Sequence, residues 1–135
     1  MSIKVLLADD HKIVRDGLRS LLEKDDDLRV VGEAPNGQVA VELAHELTPD
    51  IVVMDIGMPV MNGIEATERI IEDQPGAKII GLSMHSDRRF VASMLEAGAS
   101  GYLLKDCAFD ELVEAIHTVL SGHVYLGPGV ANETR

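Results

Sequence analysis

The sequence predicts an α/β domain built on one parallel sheet, and two patterns along the chain carry this prediction. Short runs rich in Val, Ile and Leu alternate with segments whose apolar residues recur every three or four positions. Several of the short runs are apolar almost throughout, which is typical of strands covered on both faces. This alternation favours a doubly wound sheet with helices on both sides.

Each predicted strand is a short apolar run bounded by turn residues. The five candidates are Ile3 to Ala8, Leu28 to Ala34, Ile51 to Asp55, Lys78 to Ser83 and Gly101 to Leu104. The second carries Arg29 and Glu33, so we expect it at an edge of the sheet. The alternation of strands and helices predicts a five-stranded parallel sheet of order 2-1-3-4-5, the flavodoxin-like topology, with right-handed connections.

Five amphipathic helices are predicted between and after the strands. Their apolar stripes begin at Val14, Ala40, Ile64, Phe90 and Leu112. Asn62 followed by Glu65 predicts a capped start for the third helix, and Gly122 predicts the end of the fifth.

Composition limits the classes of function. The chain has 135 residues, enough for one domain, and 46% of them are hydrophobic. The formal net charge is −11 and the basic residues form no stripe, which argues against binding of nucleic acid by these residues. No run resembles a signal peptide or a membrane-spanning helix, and the single Cys107 fits a reducing cytoplasm.

Charged and polar residues follow the predicted strands where the ligand-binding crevice of a parallel sheet would lie. Asp9 and Asp10 close the first run, and Asp55, Ser83 and Lys105 close the third, fourth and fifth. Carboxylates grouped in this way suit Mg²⁺, which binds oxygen ligands and leaves positions for water and phosphate. The Asp9-Asp10 pair equally fits a turn that caps the next helix, so for this pair both interpretations stay open.

Asp55 ends the most apolar strand, where an ionised carboxylate needs a partner. A carboxylate can act as a nucleophile and form an acyl phosphate. Phosphoryl transfer requires mainly positioning and neutralisation of charge, which a divalent cation and Lys105 would supply. The Ser83 hydroxyl could donate a hydrogen bond to a phosphoryl oxygen.

Five motifs, in this order, resemble the receiver domain of bacterial two-component response regulators. They are Leu7-Ala8-Asp9-Asp10-His11, Val53-Met54-Asp55-Ile56-Gly57-Met58-Pro59, Met61-Asn62-Gly63, Leu82-Ser83, and Ala97-Gly98-Ala99-Ser100-Gly101-Tyr102-Leu103-Leu104-Lys105. The resemblance extends from Ser2 to about Gly122. It implies a phosphorylation-dependent switch rather than a classical enzyme, although such a domain assists its own Mg²⁺-dependent phosphorylation and dephosphorylation.

The resemblance also implies a role for each matching residue. Asp55 would be the phosphoacceptor, and Mg²⁺ or Mn²⁺ would be held by Asp55, Asp10, the Gly57 carbonyl and, through water, Asp9. Ser83 and Lys105 would contact the phosphoryl group. Tyr102 would be the aromatic that changes rotamer with Ser83, although its spacing alone fits a half-buried aromatic at a sheet edge equally well.

Some positions depart from the common receiver pattern. Asp106 follows Lys105 where many receivers have a proline in a cis peptide, so we question that geometry here and expect Asp106 to cap the last helix. His11 and His85 are expected near the acidic cluster, where His85 could influence how water reaches an acyl phosphate.

Three stretches narrow the resemblance further. They are Asp9-Asp10-His11 with Val14-Arg15 and Gly17-Leu18, the run from Gly98 to Asp106, and the closing Gly122-His123-Val124-Tyr125-Leu126. Together they resemble the LuxR-type (NarL/FixJ) transcriptional class, which implies residues 1–122 as receiver and 123–135 as the start of a linker to a missing helix-turn-helix domain. The implied partners are a sensor histidine kinase, a second copy after phosphorylation, and DNA only through that missing domain. No membrane partner is implied.

The alternative functions are a stand-alone receiver, a phosphatase and a flavin carrier. A stand-alone receiver acting by protein–protein contacts is the nearest alternative. A haloacid-dehalogenase-type aspartyl-phosphate phosphatase would need a second Asp two residues after the nucleophile, where this chain has Gly57. A flavin carrier on the same topology would need aromatic residues to stack the flavin, and only 3% of this chain is aromatic.

Overall fold

The structure of this chain is a computed structural model that describes residues 2–84, 88–128 and 130. Strands and helices alternate along these residues. The elements are β1 (Ile3–Ala8), α1 (Lys12–Glu23), β2 (Leu28–Ala34), α2 (Gly37–Leu47), β3 (Ile51–Asp55), α3 (Gly63–Asp73), β4 (Ile79–Ser83), α4 (Arg88–Ala97), β5 (Gly101–Leu104), α5 (Lys105–Leu120) and β6 (Tyr125–Leu126).

All strand pairs in the sheet are parallel, and the strand order is β2-β1-β3-β4-β5-β6. The α/β fold and the order of the first five strands agree with the sequence prediction, and β2 lies at an edge as expected. The prediction of five strands is wrong, because a sixth strand, β6, pairs with β5. This strand has only two residues, which is too short for a periodic pattern, and it forms through tertiary contact with the β5 edge.

Each face of the sheet packs against its own set of helices. Along β1, Val5 and Leu7 contribute to the cluster formed with α1 and α5, whereas Leu6 and Ala8 contribute to the cluster formed with α2, α3 and α4. This division follows from the alternation of side chains along a strand. Because both faces are covered, β1, β3 and β4 are apolar almost throughout, and their ends are the first places where charged side chains can reach solvent.

The helix ends confirm most of the predicted boundaries. The Asn62 side chain caps α3 by accepting a hydrogen bond from the Glu65 backbone N–H at 2.9 Å. Gly122 follows the end of α5 with a positive φ of 98°. The prediction that Asp106 caps α5 is wrong, because the N-cap position is Leu104, two residues earlier, and Asp106 lies in the first turn. There Asp106 still stabilises the helix through the macrodipole.

Candidate functional site

Polar residues lie at the carboxyl ends of four strands of the sheet. Asp55 and Ser83 are the last residues of β3 and β4, and Asp9 and Lys105 directly follow β1 and β5. Because the four strands are parallel neighbours, these residues meet at one place, as the sequence predicted. Asp9, Asp55 and Ser83 are buried there, with exposures of 1%, 3% and 3%.

Lys105 links two of the buried carboxylates. Its Nζ lies 3.0 Å from Asp9 Oδ2 and 3.2 Å from Asp55 Oδ2, and only 9% of its side chain is exposed. Neither Oδ2 atom accepts a well-aligned hydrogen bond within the described part of the chain, and both contact the Lys105 ammonium group. Because the single Lys105 ammonium pairs with both the Asp9 and the Asp55 carboxylates, the site carries an excess of negative charge.

This imbalance shifts the pKa values of both partners. Burial and the neighbouring Asp9 carboxylate raise the pKa of Asp55, while Lys105 and the Gly57 backbone N–H, which donates to Asp55 Oδ1 at 3.2 Å, act in the opposite direction. Burial alone would lower the pKa of Lys105, but its contacts with Asp9 and Asp55 outweigh burial and raise it. Lys105 is thus held as a cation, and a second cation would stabilise ionised Asp55.

The loop after β3 depends on a close backbone approach. The Gly63 N–H donates to the Ile56 carbonyl at 2.9 Å, and a Cβ at Gly63 would lie 2.2 Å from the Asp55 carbonyl oxygen. Only glycine fits at this distance. The Met61-Asn62-Gly63 motif therefore holds the start of α3 against the end of β3 and so positions Asp55.

The sequence did not predict that Arg15 helps to hold Asp9 in position. Arg15 Nη1 donates to the Asp9 carbonyl at 2.8 Å, and Arg15 Nε pairs with Glu33 Oε1 at 3.0 Å. Glu33 is also paired with Arg19. Two arginines four residues apart on α1 face a charged residue on an edge strand. That spacing was the available signal for this network.

The carboxylates fit a divalent cation. One possible ligand atom from each of Asp9, Asp10, His11 and Asp55 can be chosen so that all lie within 4.8 Å of one another. The buried oxygens of Asp9 and Asp55 without well-aligned hydrogen bonds are hard donors of the kind that Mg²⁺ prefers. His11, expected near this cluster, lies in it, with Nδ1 3.2 Å from Asp9 Oδ1 and 3.3 Å from Asp10 Oδ1.

A surface cavity of about 270 Å³ opens above Asp55. It is lined by His11, Asp55, Ile56, Gly57, Ser83, Met84, Phe90 and Lys105. The apolar rim formed by Met84 and Phe90 was not predicted, because the sequence assigned Phe90 to the apolar stripe of the fourth helix and Met84 belongs to no stripe. The cavity offers room for a phosphoryl-sized group between the carboxylate, the hydroxyl and the ammonium. His85 lies outside the described residues.

Tyr102 is fully buried, with 0% exposure, in the cluster that covers the α4 side of the sheet. The alternative interpretation of a half-buried aromatic at a sheet edge is therefore wrong. The edge position is taken by β6, whose Leu126 pairs with Tyr102.

Comparison with known proteins agrees with this arrangement. Residues 5–117 match the family model for the response regulator receiver domain. The chain is 50% identical over 126 residues to the transcriptional regulatory protein LnrK of Bacillus subtilis, covering 93% of this chain and 57% of LnrK. This chain therefore spans less than two thirds of the length of that relative.

Two solved structures share the whole fold. A LuxR-family two-component response regulator from Aurantimonas superposes with a TM-score of 0.95 at 42% identity, covering 99% of this chain and 96% of that one. The isolated receiver domain of RcsB from Salmonella enterica, solved with the phosphomimetic BeF₃⁻, gives a TM-score of 0.90 at 26% identity, with both chains fully covered. The chain belongs to the response regulator receiver domain family.

Proposed function

We propose that Asp55 accepts a phosphoryl group from a phosphohistidine of a sensor histidine kinase. The observation that carries this proposal is the buried Asp55 carboxylate at a strand end, 3.2 Å from Lys105 and open to a cavity. Membership of the receiver family supports it, as do the grouping of Asp9 and Asp10 with Asp55 and the place of Ser83 in the same cavity.

The transfer requires no proton to be removed from the nucleophile. An ionised oxygen of Asp55 attacks the phosphorus of the phosphoramidate and a P–O bond forms. The P–N bond breaks with its electron pair passing to the ring nitrogen of the kinase histidine, whose other nitrogen carries a proton, so that neutral imidazole leaves. Lys105 then pairs with a phosphoryl oxygen, and Ser83 donates a hydrogen bond to another. Positioning and electrostatics therefore account for the acceleration.

Asp10, Asp55 and the Gly57 carbonyl would hold Mg²⁺ or Mn²⁺, with Asp9 acting through water. The ion would supply the positive charge that Lys105 alone does not provide for the carboxylates and the phosphoryl oxygens. His11 Nδ1 and Lys105 Nζ also contact the Asp9 carboxylate, at 3.2 and 3.0 Å. His11 and His85 are proposed to modulate the access of water to the acyl phosphate.

The signal is proposed to pass from Ser83 to Tyr102 and then to the surface around α4 and β5. Drawing Ser83 and Lys105 towards the phosphoryl group moves the ends of β4 and β5, and the buried Tyr102 ring responds to that movement. The exposed apolar side chains of Ile13 on α1 and Phe109 on α5 support a homodimer through these two helices after phosphorylation.

The output is proposed to be control of transcription through a C-terminal helix-turn-helix domain that residues 1–135 lack. The name of LnrK, a longer protein, supports this. Residues 1–122 would be the receiver and 123–135 the start of the connection, the first part of which packs on the sheet as β6. The formal charge of −11 predicts that this chain alone does not retard DNA in a mobility-shift assay. A stand-alone receiver is the second candidate, and the gene sequence after Arg135 distinguishes the two.

Intact-mass measurement tests the proposed chemistry. Incubation with acetyl phosphate and Mg²⁺ should add one phosphoryl group, and a chelator should prevent the addition. Asp55→Asn should gain none, whereas the exposed control Asp110→Asn should behave as the wild type. Equal phosphorylation of Asp55→Asn would show that another residue is the acceptor.

A further inference from the structure

The segment that follows α5 is attached to the sheet by the backbone. The Tyr125 N–H donates to the Ser100 carbonyl at 3.0 Å, and the Gly127 N–H donates to the Tyr102 carbonyl at 3.0 Å. Both bonds end on β5 or on the residue directly before it. The segment therefore adds a parallel strand to the edge of β5, which would otherwise leave its backbone groups unpaired.

Three further features hold the same segment in place. The Tyr125 hydroxyl donates to Glu111 and, at 3.0 Å, to Glu114 on α5, and burial together with Glu111 raises the pKa of this hydroxyl. Gly127 packs so closely that a Cβ there would lie 2.6 Å from Leu103 Cδ2. Val130 is 0% exposed.

Val130 belongs to the apolar cluster that contains Tyr102, Val91 and Met94. The segment thus joins the part of the core in which the proposed switch residue Tyr102 lies. A connection that served only as a flexible tether would leave its apolar residues in solvent, as the exposed Val124 side chain does at 62%.

A single short strand connects this segment to the site. β5 ends at Leu104, and Lys105, whose Nζ contacts Asp55 and Asp9, is the next residue. The Tyr102 carbonyl, three residues before Lys105, accepts the Gly127 bond. A phosphoryl group that restrains Lys105 therefore also restrains β5, the strand with which β6 pairs.

We propose that residues 125–128 and 130, which we call the β6 strap, are an output element whose attachment to β5 tightens when Asp55 carries a phosphoryl group. The β5 edge is the docking surface, and its occupant is this segment of the same chain. Tightening of the strap fixes the direction in which the chain leaves the receiver. This inference rests on the proposed function, because it requires Asp55 to be the acceptor.

Thermodynamic linkage makes the proposal quantitative. If the phosphoryl group strengthens docking of the strap, then docking of the strap must strengthen binding at Asp55 by the same factor. Variants that detach the strap should therefore bind a phosphoryl mimic more weakly, although none of the substituted residues contacts the site. We expect a loss of about fivefold, at the lower end of measured coupling between sites.

Two matched pairs of variants in the 135-residue chain provide the test, with BeF₃⁻ and Mg²⁺ as the probe. Gly127→Val places a side chain against Leu103, whereas Gly76→Val places the same side chain where a Cβ meets nothing within 4 Å. Val130→Asp puts a charge into the apolar cluster, whereas Val124→Asp puts it on an exposed position. Circular dichroism checks that each variant is folded.

Two measurements decide the outcome. Hydrogen exchange of the Gly127 and Tyr125 amides should slow when BeF₃⁻ binds to the wild type, and calorimetry should show weaker BeF₃⁻ binding for Gly127→Val and Val130→Asp but not for their controls. Unchanged exchange, or equal affinities within each pair, would overturn the β6 strap as an output element while leaving Asp55 as the acceptor. A wild type that binds no BeF₃⁻ would overturn the proposed function and this inference with it.

Discussion

Lys105 Nζ lies 3.2 Å from Asp55 Oδ2, so the first residue of α5 neutralises the last residue of β3. The same ammonium lies 3.0 Å from Asp9 Oδ2, and the two buried carboxylates share it. This shared pairing explains why the site favours an additional cation. It also means that stability, metal binding and phosphorylation all depend on the charges at one edge of the sheet.

Replacing Lys105 by methionine should destabilise the metal-free protein. The variant leaves Asp9 and Asp55 without their cation, and we expect the free energy of unfolding to fall by about 2 kcal/mol, less than the roughly 3–5 kcal/mol of a fully buried pair. Urea unfolding in a chelator measures this difference. Saturating Mg²⁺ should reduce it, because the ion supplies positive charge to the same carboxylates. The exposed control Lys12→Met should have little effect, and a Lys105→Met variant as stable as this control would contradict the account.

Asp55→Asn should stabilise the metal-free protein at neutral pH. Since burial and Asp9 raise the pKa of Asp55 above 3.8, the folded state holds its proton more tightly than the unfolded state. This contribution to stability is complete below the unfolded pKa and is lost as the pH rises through the folded pKa. Asparagine does not ionise, so the Asp55→Asn variant avoids this loss. We expect its free energy of unfolding to exceed that of the wild type by about 1 kcal/mol at pH 7.

Urea unfolding in a chelator between about pH 4 and pH 8 should show the wild type losing stability relative to Asp55→Asn as the pH rises. Asp110→Asn provides the control, because Asp110 is exposed on α5. Parallel pH profiles for the wild type and Asp55→Asn would show that ionisation of Asp55 is not costly in this fold.

Asp10→Asn should weaken Mg²⁺ binding with little effect on the metal-free fold. The Asp10 side chain is 28% exposed and contacts the His11 ring, so its loss removes a candidate ligand more than a structural contact. We expect the dissociation constant for Mg²⁺ to rise by about tenfold or more. Isothermal calorimetry measures it, with the exposed Asp16→Asn as control. Equal affinities for the wild type and Asp10→Asn would exclude Asp10 as a ligand.

Phe109→Ala should weaken the proposed homodimer. The Phe109 ring of α5 packs over Gly17 of α1, and a Cβ at Gly17 would lie 3.0 Å from Phe109 Cε1. Ile13, also on α1, is 88% exposed. Analytical ultracentrifugation with BeF₃⁻ should show a dimer for the wild type and a dissociation constant about tenfold higher for Phe109→Ala. The exposed apolar residue Val60 provides the control, as Val60→Ala. Dimers of equal stability in the two variants would place the interface elsewhere.

Much of the fold follows from periodicity in the sequence. The predicted and observed bounds agree for β1, β2, β3 and β5, and β4 starts at Ile79 instead of Lys78. β1, β3 and β4 are predictable because covering both faces makes them apolar almost throughout. β2 carries Arg29 and Glu33 and is recognisable instead as an edge strand. The sixth strand is not predictable in this way, because Tyr125 and Leu126 form a strand only through the edge that β5 offers them.

The site was predictable to the extent that its residues lie at strand ends. The sequence placed Asp9, Asp55, Ser83 and Lys105 at one edge, because parallel strands bring their carboxyl ends together. It did not predict that Arg15 binds the Asp9 carbonyl, since the partner is a backbone atom and leaves no mark in the side-chain pattern. The prediction that Asp106 caps α5 was wrong because aspartate is favoured both at N-cap positions and in the first turn of a helix.

Locating the acyl phosphate tests the central claim most directly. Borohydride reduction of an aspartyl phosphate gives homoserine, which tandem mass spectrometry assigns to a residue number. After treatment with acetyl phosphate and Mg²⁺, the account predicts homoserine at position 55, with Asp9 and Asp10 unchanged. Homoserine at Asp9 or Asp10, or at none of the three, would contradict the assignment of Asp55 as the phosphoacceptor.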